Sequence, residues 1–134
     1  MLVHPGGPHN AAKDAGAWSI PKGEFGGDED PLTVAKREFK EETSFSIDGT
    51  FTPLRPVKQK GGKTVYAWAI EKDMDMEGFS SNTFMMEWPY KSGRFIEVPE
   101  IDKAQWFPAE QAREKINPAQ ATLLDQLLEL LGAR

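Results

Sequence analysis

Residues 23–45 read GEFGGDEDPLTVAKREFKEETSF, and the reading of this stretch decides the fold. Asp30-Pro31 opens a helix, because Asp suits the N-cap and Pro suits the first helical position, where a missing N–H costs nothing. Leu32, Ala35, Phe39 and Thr43 recur at spacings of three and four, which predicts a buried stripe on a helix ending near Thr43-Ser44. At roughly 100° per residue, Glu38, Glu41 and Glu42 share one arc about 100° wide. Glu38 and Glu42 form an i,i+4 like-charge pair, which disfavours a bare helix by a few tenths of a kcal/mol. Two readings follow. One is a solvated acidic face, partly neutralised by Lys36, Arg37 and Lys40. The other is a site for a hard divalent cation, which prefers carboxylate oxygens.

The rest of the chain bounds the answer. It has 134 residues, a formal net charge of −5 and no Cys. That length suits one domain spanning residues 1–134. The absence of Cys excludes disulfides, thiol catalysis and Cys-based zinc sites, and fits a reducing, cytoplasmic setting. No apolar run reaches the roughly 18 residues of a membrane helix. The start, MLVHPGGPHN, lacks the flank and apolar core of a signal peptide. The acidic balance argues against a nucleic acid polymer as partner, since backbone binding needs clustered cations. The expected class is α+β. Ala17–Ile20 is a short strand candidate, Thr50–Gln59 is extended but broken by Pro53 and Pro56, and Gly61-Gly62 is a hairpin turn. Lys63–Glu71 is apolar on both faces, which predicts a central strand. Asn82–Trp88, Arg94–Val98 and Ala104–Phe107 are further strands. Pro108–Ile116 and Pro118–Leu131 are helices, the last with a Leu124, Leu127, Leu128 and Leu131 stripe that packs on the domain or forms a dimer seam.

The residues flanking the acidic helix decide between its two readings. Gly23-x5-Glu29-x7-Arg37-Glu38-Phe39-x-Glu41-Glu42-x-Ser44-Phe45 resembles the Nudix box, G-x5-E-x7-R-E-U-x-E-E-x-G-U with U bulky and apolar. Eight of its nine specified positions match, Ser44 replacing Gly. HPGGP, WSIPKGE and EIDKAQWF are similar to a bacterial subgroup of predicted nucleoside-triphosphate pyrophosphohydrolases. The Pro21-Lys22-Gly23 turn resembles diadenosine polyphosphate and diphosphoinositol polyphosphate hydrolases. The resemblance implies a Nudix α/β/α sandwich with a mixed sheet. Set against that family, the usual first N-terminal strand is missing and only MLVH is left of its hairpin: either Met1 is an internal start, or an edge strand has been lost, which would leave an open edge and with it marginal stability or edge-mediated dimerisation.

The resemblance also implies roles. Glu38, Glu41 and Glu42 match the metal-binding glutamates, for Mg²⁺ or Mn²⁺, with Glu38 alternatively a base. Arg37 matches the arginine that orients them, with Glu29 as its ionic partner. The main-chain carbonyl near Lys22-Gly23 completes the metal shell, which places Gly23 among the ligands. Glu100 is the choice for a late-loop carboxylate and Glu97 the reserve. Lys22, with Arg55, Lys58, Lys60 and Lys63, supplies positive charge, or else the latter four are a solvated hairpin. Tyr66, Trp68, Phe84, Trp88 and Tyr90 are candidates to stack on a base, Tyr66 foremost. The implied activity is metal-dependent hydrolysis of the diphosphate in a nucleoside diphosphate linked to another group. Nucleoside triphosphates and dinucleoside polyphosphates lead as substrates, and the protein is a monomer or homodimer. The alternative is a catalytically silent nucleotide-binding module.

Three other patterns carry less. Gly62-Lys63-Thr64 lacks the earlier Gly of a phosphate-binding loop. Asp73-x-Asp75-x-Glu77-Gly78 has Phe84 where a calcium loop needs its bidentate Glu. His4 and His9 lack a third ligand, which points to loop or packing roles.

Overall fold

The computed structural model describes residues 1–22, 28–59 and 61–132. Its architecture is α+β. In chain order the elements are β1 (Leu2–Pro5), α1 (Pro31–Thr43), β2 (Thr52–Pro53), β3 (Val57–Lys58), β4 (Thr64–Val65), β5 (Trp68–Ala69), β6 (Thr83–Glu87), β7 (Phe95–Pro99), β8 (Ile101–Gln105), α2 (Ala109–Lys115) and α3 (Ala121–Gly132).

Helix α1 begins as its sequence dictates. Asp30 is extended, and its side chain accepts from the Thr33 N–H. At the other end Ser44 adopts the left-handed conformation, with φ 68°. Its N–H bonds the Lys40 carbonyl at 2.8 Å, and its hydroxyl donates to the Ser80 carbonyl at 2.5 Å. The conformation that Gly takes freely is thus kept by a Ser, at a cost of about 1 kcal/mol, and the hydroxyl bond offsets part of it. Ser44→Ala keeps the strain and loses the bond. It is expected to be less stable than Ser44→Gly by about 1 kcal/mol in urea denaturation; equal midpoints would show that no strain is stored there.

The strands pair as four antiparallel two-stranded ladders, β1–β8, β2–β5, β3–β4 and β6–β7. Among the described residues, parallel pairing is confined to the Trp18–Ile116 bridge, so the expected mixed sheet reduces there to that contact. Lys63–Glu71 is not one central strand. It splits into β4, which returns on β3 across the Gly61-Gly62 turn, and β5, which pairs with β2. Pro53 and Pro56 on the facing segment have no N–H to donate, so one continuous ladder cannot form. Ala17–Ile20 likewise makes only bridges, at Trp18 and Ser19.

Leu2–Pro5 pairs with β8 on one side and bridges to Ser19 on the other through Val3. Val3 and His4 are almost wholly buried. The core gathers Leu2, Trp18, Ala112 and Ile116, with Ile20, Phe107, Ala121 and Leu124 against it. His4 bonds Asp102 through Nδ1 at 2.8 Å and the Lys13 carbonyl through Nε2 at 2.6 Å, which ties β1 to β8 and to the loop after it. This is a packing role. On α1 the most buried residues are Val34, Glu42 and Thr43. Leu32, Ala35 and Phe39 are only half-buried, and with Leu124, Leu127 and Leu128 they line an apolar cavity of about 400 Å³. The side chains of α3 that bury most fully are Leu123 and Gln126. No helix among the described residues is long and apolar enough to cross a membrane.

Candidate active site

A second cavity, a cleft of about 630 Å³, opens where α1, β1, the β7–β8 turn and the β3–β4 hairpin meet. Glu38 and Glu42 reach it from α1, Glu100 from the turn between β7 and β8, and Lys22 from the segment before the helix. Helical spacing delivers the first two, since residues i and i+4 lie on one face.

Glu42 is only 4% exposed. Its Oε2 accepts from the Lys22 backbone N–H at 3.1 Å. Burial pushes its carboxyl up to about 8, helped by the nearby charges of Glu100 and Glu38 and only partly opposed by Lys22. Glu38 is also raised, first by burial and then by Glu41, against the pull of Arg37. Arg37 bridges Glu29 at 3.3 Å and Glu38 at 3.6 Å, so it sits beside the cleft and steers a carboxylate. Two acids whose ionised forms are disfavoured, held where Lys22 is the only cation among the described lining residues, form a site short of positive charge. The donor set is hard oxygen, which fits a hard divalent cation. Among the described residues no three His, Asp or Glu side chains close on one point, so a bound ion would have to draw the carboxylates together.

Glu100 is held by its own backbone. The Gly6 N–H donates to its carbonyl at 2.9 Å, and its N–H donates to the Asn82 carbonyl at 2.9 Å. The next amide, Ile101, donates to Ser81 Oγ at 3.0 Å. Glu97 instead lies within β7, paired with Met85 and exposed, and does not line the cleft. Glu41 is exposed and also outside the cleft lining, although its charge acts on Glu38. Lys58 is exposed on β3 and does not line the cleft, and Arg55 pairs with Glu129 on α3 at 3.6 Å. Gly23 and Lys60 lie outside the described residues. Tyr66 and Trp68 line the apolar cavity rather than the cleft. Phe84, Trp88 and Tyr90 belong to the β6–β7 hairpin, where Trp88 meets His9 edge-on at 4.8 Å. Asp75, from the pattern that echoes a calcium loop, caps a short 3-10 turn over Met76–Gly78.

Sequence reading missed Gln120. It is fully buried, and its Oε1 accepts from the Ile20 N–H at 3.0 Å, while its Nε2 donates to Ser19 Oγ at 3.1 Å. It therefore fixes the segment that carries Lys22 to Glu42. No local signal in the sequence marks it, because its partners lie about a hundred residues away. Gln120→Leu leaves the Ile20 N–H unpaired and is expected to cost about 1–3 kcal/mol. Urea denaturation and faster hydrogen exchange at Ile20 check it.

A family model for the NUDIX domain matches residues 7–127. No curated protein matches the chain, and no solved structure does. The family match spans most of the chain and contains all three carboxylates of the cleft, so the chain belongs to the NUDIX domain family.

Proposed function

We propose that the protein is a metal-dependent hydrolase that cleaves the diphosphate linkage of nucleoside diphosphate compounds, nucleoside triphosphates and dinucleoside polyphosphates foremost. Family membership supports hydrolysis of nucleoside diphosphate-linked compounds in general, and members of the family generally use a divalent ion such as Mg²⁺ or Mn²⁺. The observation that carries the reading for this chain is the meeting of Glu38, Glu42 and Glu100 in one cleft, with Glu42 held almost fully buried.

Glu38, Glu41 and Glu42 would hold the ion, which supplies charge to offset the diphosphate and to polarise the attacking water. Glu100 has the position of a general base, because it comes from a different wall than the α1 carboxylates. Lys22 offers its ammonium to a phosphoryl oxygen while its backbone N–H keeps Glu42 oriented. Arg37 and Glu29 hold Glu38 in place. The setting is cytoplasmic, and the protein acts as a monomer or homodimer on small phosphoanhydrides.

The silent nucleotide-binding module has one observation in its favour, the spacing of the acids, which close on no single point among the described residues. A panel of nucleoside triphosphates, dinucleoside polyphosphates, nucleotide sugars and diphosphoinositol phosphates, assayed with Mg²⁺ and with Mn²⁺, separates the two. Metal-dependent turnover of any member supports the hydrolase. Nucleotide binding without turnover supports the module.

A further inference from the structure

Gln59 stands at the end of β3, where the hairpin turns toward β4. Both of its backbone groups are used in that turn. Its N–H donates to the Lys63 carbonyl at 2.7 Å, and its carbonyl accepts from the Gly62 N–H at 3.1 Å. The residue lines the same cleft as Glu38, Glu42 and Glu100, from another wall. The other neutral polar side chains there are engaged. Ser19 is bonded to Ile20 and Gln120, and Asn117 caps the Ala119 N–H. The Gln59 carboxamide has no partner in the protein among the described residues.

A carboxamide is uncharged and offers a donor and an acceptor side by side. Phosphate oxygens can only accept, and the acids that would hold the counter-ion of the diphosphate stand on another wall of the cleft. The edge of a nucleobase carries donors and acceptors together and complements an amide in two bonds. We infer that Gln59 is a specificity-determining residue whose carboxamide binds the uncharged nucleoside part of the substrate. The cleft then distinguishes nucleotides from polyphosphates that carry no nucleoside. This inference rests on the hydrolase reading for its kinetic test, but not for its binding test.

The experiment compares the wild-type chain with Gln59→Ala, using ATP, GTP and inorganic tripolyphosphate in Mg²⁺. Gln59 is half-buried and its side chain is unpartnered, so the variant is expected to melt with the wild type. The KM for at least one nucleotide should rise about tenfold, as expected for one lost hydrogen-bonding side chain. The kcat should stay within twofold, and both constants for tripolyphosphate should be unchanged. Equal changes on nucleotide and tripolyphosphate, or none on either, would overturn the inference. If the wild type turns over none of these, equilibrium binding of ATP and GTP decides, whatever the wider substrate panel shows for the hydrolase reading. Weaker binding by Gln59→Ala then sustains the inference, and equal or undetectable binding overturns it.

Discussion

Glu42→Gln is expected to lower turnover by about 10²–10³-fold and, without metal, to make the protein more stable at pH 8. The two effects share one cause. Glu42 is buried close to Glu38 and Glu100, and its carboxyl is pushed up to about 8. The folded state therefore holds the proton more tightly than the unfolded chain does. Below about pH 4.5 both states are protonated and this group costs nothing. Between about 4.5 and about 8 unfolding releases a proton, so stability falls as pH rises. The full loss is on the order of 3–5 kcal/mol. Gln has the same shape, still accepts from the Lys22 N–H and carries no charge, so this slope should flatten in the variant. Thermal melts from pH 5 to 8.5 in EDTA give the comparison. Parallel profiles for the two proteins would mean that the fold does not hold the Glu42 proton more tightly than the unfolded chain does. Undiminished turnover in the variant would remove it from the catalytic set.

Gly6→Ala is expected to be the most damaging change outside the carboxylates. A methyl group built on Gly6 comes within 2.0 Å of the Pro99 carbonyl oxygen. That neighbour is backbone at the end of β7, not a flexible side-chain tip, so relief requires a strand to move. Overpacking of this kind costs about 1–3 kcal/mol or more, which lowers the melting temperature by roughly 5–10 °C for a domain of this size. The movement falls on the turn that carries Glu100, because the Gly6 N–H holds the Glu100 carbonyl. Turnover should drop even at temperatures where the variant is fully folded. A variant that melts like the wild type and keeps its activity would show that the β7–β8 turn is free to adjust.

Local chemistry was the legible part. Asp30, Pro31 and the acidic arc place α1 and its caps, and the box spacing brings Glu38, Glu42 and Lys22 to one place. Of the two late acids, Glu97 sits mid-ladder while Glu100 occupies the turn and lines the cleft. What escaped depends on partners distant in sequence. Val34 and Glu42 are buried by what covers α1, not by its period. The division of Lys63–Glu71 was legible only from the prolines on the segment it faces. Tyr66 looked like a stacking residue because of its ring, yet it belongs to the apolar cavity. Gln120 and Gln126 read as ordinary polar helix residues, and nothing local marks an amide that will be buried.

Those two glutamines have a joint consequence. Gln126 accepts from the Arg55 N–H at 2.5 Å and donates to the Arg55 carbonyl at 3.0 Å, as a backbone strand neighbour would. Gln120 accepts from the Ile20 N–H and donates to the Ser19 hydroxyl. One grip is on the chain leading to the hairpin of Gln59, the other on the chain leading to Lys22. They stand six positions apart, roughly 9 Å at 1.5 Å per residue. The C-terminal helix thus works as a gauge block set between two jaws. It sets the spacing between those two chain segments, although it contributes no acid to the cleft.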